Sequence, residues 1–275
     1  QQAKIVTAIN KLDTSVLGLS EIENTATVTS DTEKRDEALR NLVEALNAKE
    51  PGKWDLVESP EKLGTDEDVI RVAFIYQPAK VEPVGESIIF DDEAFSRTAR
   101  QPLAQEFDTV GNDEDTNFVA VVNHFKSKGS VVQGDGDKGD GQGNNANVRT
   151  RQSEALLKHL TEQNQWAELP TFLVGDFNSY THEDPMLGLY EDGYVNLAPE
   201  GQHSYSFDGQ AGSLDHVLAS PAAAEAVTGS DIWEINANES VGMEYSRANY
   251  NVVDLYAPDQ FRASDHNPAL VGIAL

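Results

Sequence analysis

Cysteine is absent from the 275 residues, which excludes a disulfide framework, a thiol nucleophile and a thiolate zinc site but leaves the compartment open. No apolar run approaches the ~20 residues that a membrane-spanning helix requires. Gln1 opens the chain without a basic and apolar leader, so an export signal is expected to have been removed or to lie outside this sequence. Positive charge is scarce: 20 Lys and Arg stand against 47 Asp and Glu, giving a formal net charge of -27. Such a body repels polyanions at long range and argues, on its face, against nucleic-acid binding. Divalent cations that bridge carboxylates to phosphates, or a saline exterior, would soften that objection.

What is present supports a core, with 39% hydrophobic and 8% aromatic residues. The length allows one large domain or two small ones. No internal repeat and no interdomain linker is found, so a single domain over residues 1–275 is expected. The few cations are unevenly placed. Arg97, Arg100, Lys126, Lys128, Lys138, Arg149 and Arg151 fall within one stretch, enough for a local basic patch on an acidic body.

The chain is organised around Thr171-Phe172-Leu173-Val174-Gly175-Asp176-Phe177-Asn178. Strand-forming residues run into Gly175, and Asp176 and Asn178 then stand two apart, on one face of an extended backbone. A carboxylate and an amide delivered to one side of a strand end suit proton abstraction from water and orientation of a substrate oxygen. The alternative is an Asx-type turn in which both side chains bond only their own backbone.

Other predicted strands end in polar residues as well. Val16 to Leu19 leads to Glu21, and Phe118 to Phe125 is apolar except for Asn123 and His124. Ser213 to Ser220 carries Asp215 and His216, and Ser264-Asp265-His266-Asn267-Pro268 precedes a terminal strand over Ala269 to Leu275. Taken singly, Glu21 reads as a solvated loop residue and His124 as a structural histidine. Taken together, carboxylates, an amide and imidazoles without thiols describe an oxygen-ligand site for Mg²⁺ or Mn²⁺ and phosphate esters.

Residues 126–147 are Gly-rich and polar, and form a long, mobile loop on this reading. Asp135, Asp137 and Asp140 within it make a candidate Ca²⁺ loop, although the EF-hand spacing is not met. Asn147 is expected to cap the following helix. Arg149 and Arg151 in its first turn oppose the helix dipole, which hints at placement for a ligand or else at plain surface solvation. Amphipathic helices are expected over residues 1–12 and about 39–46, with a short helix from Asp184-Pro185 and another over Pro221 to Ala226. Short strands with helices between them give an α+β fold of layered sandwich type.

Leu19-Ser20-Glu21, Asn123-His124-Phe125-Lys126-Ser127-Lys128, Gly175-Asp176-Phe177-Asn178, Leu214-Asp215-His216 and Ser264-Asp265-His266 occur in an order that resembles the endonuclease/exonuclease/phosphatase (deoxyribonuclease I-like) superfamily. Residues 95–103, 123–130, 139–151 and 204–220 look like its branch of secreted bacterial nucleases of the ExeM/NucH type. The resemblance implies a four-layer α/β/β/α sandwich and metal-dependent phosphodiester hydrolysis. It implies that Glu21, assisted by Asp265, holds Mg²⁺ or Mn²⁺, and that Asp176 orients or deprotonates water. Asn178 would contact the phosphate. His266, aligned by Asp215, would bind the phosphate or act as the base, and His124 would contact the phosphate or protonate the leaving oxygen. Arg100, Lys126, Arg149 and Arg151 would bind a nucleic-acid substrate.

The chain departs from the pattern at three places. The family's first strand, which ends in a catalytic Asn before the opening helix, does not occur ahead of residues 1–12 here; it and its Asn are expected to be missing, supplied by a segment outside this sequence, or replaced. Gln101 stands where some relatives have a Glu paired with the residue matching His124, and Ser20 replaces the more usual Gln. The leading expectation is a secreted, monomeric enzyme that degrades DNA, with RNA as a further substrate, by internal cleavage and without inserting into membranes. The alternatives are a phospholipid or inositol-phosphate phosphodiesterase, and an inactive calcium-binding fragment.

Overall fold

The computed structural model describes residues 1–111, 116–247 and 252–275. In chain order the elements are α1 (Gln2–Leu12), β1 (Val16–Glu23), α2 (Thr25–Thr29), α3 (Glu37–Asn47), β2 (Asp55–Leu56), β3 (Ile70–Tyr76), β4 (Val81–Ile89), β5 (Arg100–Thr109) and β6 (Phe118–His124). They continue with α4 (Ala146–Thr161), β7 (Thr171–Asp176), α5 (Asp184–Glu191), β8 (Val195–Asn196), β9 (Tyr205–Phe207), β10 (Gln210–Gly212), β11 (Asp215–Ala219), α6 (Pro221–Ala226), β12 (Val227–Ile232) and β13 (Ala269–Ile273).

Alternation along the strands builds the layers. In β3, Val72 and Phe74 enter one apolar cluster while Ala73 and Ile75 enter another on the opposite face. In β6, Ala120 and Val122 share the first of these clusters, whereas Val119 and Val121 face a third. The middle cluster therefore lies between two sheets, β1-β3-β2 and β4-β5-β6-β7-β11-β8. Outside the small sheet, α1 and α3 contribute Val6, Ile9, Leu39, Val43 and Leu46. Outside the large one, α4 and α5 contribute Ala155, Leu156, Met186 and Leu189. The result is an α/β/β/α sandwich, as expected. Each fully buried aliphatic or aromatic side chain contributes on the order of 1.5–3 kcal/mol.

Two features position the site. Strand β6 runs parallel to β7 and β11 runs antiparallel to it, so the ends of β6 and β7 and the start of β11 meet at one edge. Strand β1 crosses this sheet closely at Gly18, where a Cβ would lie 3.0 Å from a Val174 methyl and 3.1 Å from a Val122 methyl.

No strand precedes α1 among the described residues, and β1 and β13 are both edge strands. Ribbon β12-β13 and hairpin β9-β10 stand outside the two larger sheets. Strand β13 falls within the terminal strand expected over Ala269 to Leu275, whereas β8, β9, β10 and β12 were not legible. Val227-Thr-Gly-Ser-Asp-Ile232 has little apolar alternation, and β12 exists because β13 pairs with it.

Candidate active site

Gly175 sets the local geometry. Its φ is +117°, and a Cβ there would overlap the main-chain carbonyl of Asn123 on the neighbouring strand. A glycine thus lets β7 lie against β6 just before Asp176, the last residue of the strand. Register then does the assembly: Asp176 is paired with His124 on β6 and with Asp215 on β11. Asp215 Oδ2 lies 2.7 Å from His266 Nδ1 and accepts a 2.7 Å bond from Ser204 Oγ. Asp176, His124, Asp215 and His266, distant in sequence, stand together.

Asp176 is nearly buried. Its carboxyl is pushed up to about 7, first by burial and then by the Asp215 carboxylate, with Glu21 adding to the effect and His266 opposing it. Burial works against a charge on His266 too. The Asp215 carboxylate, through charge and hydrogen bond, outweighs that and raises the imidazole to about 9, with Asp176 and Asp265 adding to it. His266 is therefore the cation of the site at neutral pH. His124 is its opposite. Burial, then the adjacent Arg100 guanidinium, holds it down to about 3, so the ring is neutral.

Arg100 places Nη1 3.4 Å from His124 Nε2 and pairs through Nη2 with Asp68 at 3.1 Å. Gln101 donates to the Thr65 carbonyl instead of reaching the ring, and His124 Nδ1 is buried without a partner. With Gln101 turned away, His124 Nδ1 has no acceptor among the described residues.

Asn178 realises the Asx-type turn and not the shared face of an extended strand, since β7 ends at Asp176. Its main-chain N–H donates to Asp176 Oδ1 at 2.7 Å, the Asx-type bond, with φ at +49°. Its side-chain amide donates to Asp176 Oδ2 at 3.0 Å and to the Phe125 carbonyl at 3.1 Å. Both amide hydrogens are committed, so Asn178 orients the Asp176 carboxyl and does not offer a donor to a phosphate as expected. His216 is structural: fully buried, it bonds the Ser179 carbonyl at 2.9 Å.

Glu21 arrives by a β-bulge. The β1–β3 register shifts between Leu19 and Ile22, and Glu21 adopts φ +60°. A bulge re-aims one side chain out of the ladder. Its exposed carboxylate makes no hydrogen bond or ion pair among the described residues, yet acts electrostatically on Asp176. Asp265 is likewise exposed and unpartnered, beside His266. Among the described residues no three His, Asp or Glu side chains form a ready-made cage. Mg²⁺ is commonly held by only one or two carboxylates with water and substrate phosphate completing the octahedron. Glu21, which acts electrostatically on Asp176, and Asp265, beside His266, are free hard carboxylates of the kind such an ion takes.

The predicted cationic contacts need correction. Arg149 is fully buried: Nε donates to Ser179 Oγ at 3.0 Å, Nη1 to the Asn144 carbonyl at 2.7 Å, and Nη2 pairs with Glu183 at 3.2 Å. Glu183 also holds Lys128 at 2.5 Å. Lys126 is buried and donates to the Ser127 and Gly129 carbonyls at 3.0 and 2.6 Å. Of the four basic residues expected at a substrate, only Arg151 is exposed. Arg149→Met leaves Glu183 buried with only Lys128, and is expected to destabilise the chain by roughly 3–5 kcal/mol. Urea unfolding measures this, and the double change with Glu183→Leu recovers part of the loss.

The acidic loop is also organised differently. Asp135 caps α4, accepting from Asn147 Nδ2 at 2.6 Å and from Val148 N at 2.9 Å. Helix α4 begins at Ala146, so Asn147 lies inside it and is not the cap. Asp137 and Asp140 accept from Gly139 N and Gln142 N at 2.8 and 3.1 Å, as separate turns. The three carboxylates do not converge on a calcium site. The loop expected to be mobile is laced down by Asn145, Lys128 and Arg149.

Sequence reasoning missed the residues that hold His266. Asn236 accepts from the main chain of Ala263 and donates to the His266 carbonyl at 2.6 Å. Asn267 accepts from Asn236 N at 2.8 Å. Lone asparagines in loops carry no motif. Tyr205, whose ring centroid lies 4.5 Å from that of His266, was missed as well.

Among solved structures, the chain is similar to an endonuclease/exonuclease/phosphatase from Bacteroides vulgatus, at 14% identity and TM-score 0.62 over 100% of this chain and 90% of that one. It is similar to the mannosyl-6-phosphatase of Bacteroides thetaiotaomicron VPI-5482, at 15% identity and TM-score 0.61 over 100% and 90%. It also resembles D. rerio TDP2 complexed with single strand DNA product, at 13% identity and TM-score 0.52 over 84% and 82%. No curated protein matches it significantly. The model of the Endonuclease/Exonuclease/phosphatase family matches residues 2–266. By that match, over a fold and a site of this design, the chain belongs to the Endonuclease/Exonuclease/phosphatase family.

Proposed function

We propose that the protein is a divalent-metal-dependent phosphodiesterase that cleaves DNA internally, with RNA as a second substrate, acting as a secreted monomer. The observation that carries the reading is the pairing of a proton-acceptor carboxyl, Asp176, with a fixed imidazolium, His266, across Asp215. Phosphoryl transfer asks for charge neutralisation and an aligned nucleophile more than for covalent chemistry. Glu21, with Asp265, would hold Mg²⁺ or Mn²⁺, which when bound supplies Lewis-acid polarisation of the phosphoryl oxygens. Asp176, steadied by Asn178, takes the proton of the attacking water. His266, charged and aligned by Asp215, binds the phosphate oxygens. His124, neutral and enclosed, supports the Asp176 carboxyl 3.7 Å away. Resemblance to the secreted bacterial branch supports the extracellular setting.

A second reading has one observation in its favour. Val252, Val253 and Leu255 stand exposed on the stretch before Ser264, the kind of apolar projection that a phospholipid-cleaving relative would press into a bilayer. One experiment separates the two. Supercoiled plasmid and phosphatidylcholine vesicles are each incubated with the protein and Mg²⁺ or Mn²⁺, with and without EDTA. Nicking of plasmid that EDTA abolishes, without headgroup release, is expected. Headgroup release alone moves the assignment to lipid. Calcium binding with no cleavage of any ester overturns both.

A further inference from the structure

The aromatic side chains beside His266 take no part in the hydrolytic chemistry described above. Tyr205 and Phe207 alternate on β9 and so share one face of the β9–β10 hairpin. Their rings are near-parallel, 9° apart with centroids at 6.3 Å. Tyr205 is paired with Gly212, where a Cβ would lie 2.7 Å from the ring of Tyr180. Opposed residues of an antiparallel pair project to the same side. Tyr180 therefore lies over the Gly212 position, on the face that carries Tyr205 and Phe207. Inward, Tyr205 contacts His266, and its hydroxyl is pushed up by burial and by the nearby carboxylates of Asp265 and Asp176. Outward, Phe207 is 67% exposed. A row of rings thus runs from the imidazolium to solvent.

Charge around the site does little to hold a polyanion. Lys126 and Arg149 are committed to internal partners, Arg100 is paired with Asp68, and the body carries -27. A flat, apolar, uncharged surface next to the phosphate position offers attraction that this field does not cancel.

We propose that the Tyr205–Phe207 face of the β9–β10 hairpin, flanked by Tyr180, is a stacking subsite for an unpaired nucleobase adjoining the phosphate held at His266. This rests on the phosphodiesterase reading above and deepens it: the substrate is single-stranded or frayed nucleic acid, because a base inside a duplex has both faces covered by its neighbours. Gly212 belongs to the device, since its missing side chain gives Tyr180 its place beside Tyr205.

The test uses two oligonucleotides of equal length, one with bases and one with abasic sites in a single-stranded window. Both are presented to the parent, to Phe207→Ala and to Phe207→Trp. The quantity read is the ratio of kcat/KM on the base-bearing strand to that on the abasic strand. Stacking of one base on an aromatic ring corresponds to about five- to 150-fold in affinity, so the parent ratio should exceed one by such a factor. Phe207→Ala should collapse the ratio toward one, and Phe207→Trp should preserve or raise it. An unchanged ratio in Phe207→Ala overturns the subsite. Equilibrium binding of the same strands, followed by fluorescence anisotropy, reads the same ratio without hydrolysis. If the parent cleaves neither strand but still binds the base-bearing one more tightly through Phe207, the phosphodiesterase reading fails and the subsite stands. If it cleaves both strands equally, the reverse holds.

Discussion

Asp176→Asn and His266→Gln are each expected to lower phosphodiester turnover by about 10²–10⁴-fold, the range typical of a positioned proton-transfer or charge-stabilising group. The two substitutions differ in what else they change. Asp176→Asn removes the proton acceptor but keeps the side-chain shape beside Asn178. His266→Gln removes the cation that Asp215 holds at 2.7 Å. Steady-state rates on a plasmid or a dinucleotide measure the first effect.

The second effect shows in the pH dependence of stability of the EDTA-treated protein. His266 is held up to about 9 in the folded chain, against about 6.5 unfolded. Between those values the folded state binds a proton that the unfolded state lacks, so stability falls as pH rises. Asp176, pushed up to about 7, acts in the same direction at lower pH. His124, held down to about 3, acts in the opposite direction below its unfolded value and offsets Asp176 there. The clean window is therefore the upper one, from near neutrality to about pH 9. Urea midpoints of the parent should decline across it, and His266→Gln should flatten the decline. A parent curve that is level through this window would contradict the proposed charge on His266.

Gly175→Ala is expected to be severely damaging, since its Cβ makes the tightest contact found among the described glycines tested. The added Cβ would meet the main-chain oxygen and nitrogen of Asn123, which no side-chain rotation can move, and φ at +117° is hostile to any side chain. The strand pair that carries His124 and Asp176 must part for the methyl to fit. A loss of more than about 4 kcal/mol is expected, or failure to accumulate as folded protein. Thermal or urea unfolding checks it, with Gly52→Ala as the contrast. Gly52 also has positive φ, but nothing lies within 4 Å of its Cβ position, so only the modest backbone strain is felt.

The strands that carry the site were legible because their chemistry is local. Thr171 to Val174 is a β-forming apolar run, and the polar residues after it mark its exposed end whatever the partners are. A layered sandwich was legible from short strands with helices between them, and its four layers were implied by the family resemblance; the two-faced packing of β3 and β6 appears only in the structure. What escaped was decided by partners distant in sequence. Arg149 was read as a surface cation because its own helix gives no sign of Glu183, thirty-four residues on, which buries it. Asp135 looked like one of three calcium ligands, since spacing alone cannot distinguish a cap for α4 from a ligand. Asn236 and Asn267 fix the His266 turn entirely through bonds between loops. Asn178 was placed correctly beside Asp176, but the direction of its amide depends on the Phe125 carbonyl across the strand boundary.

The separation of β13 from the larger sheets has a bearing on how activity is lost under stress. His266 and Asp265 precede a strand whose ladder bonds go only to β12, whereas Asp176 and His124 belong to the six-stranded sheet. A two-stranded ribbon is marginal by itself and depends on what it leans against. Lys4, wholly enclosed, tethers the approach to it by bonding Asp259 at 3.0 Å and the Phe261 carbonyl at 2.8 Å. Local opening of that ribbon would withdraw the imidazolium while the carboxyl it serves stays in place. Mild denaturant should therefore silence catalysis in a population whose main sheets are still intact.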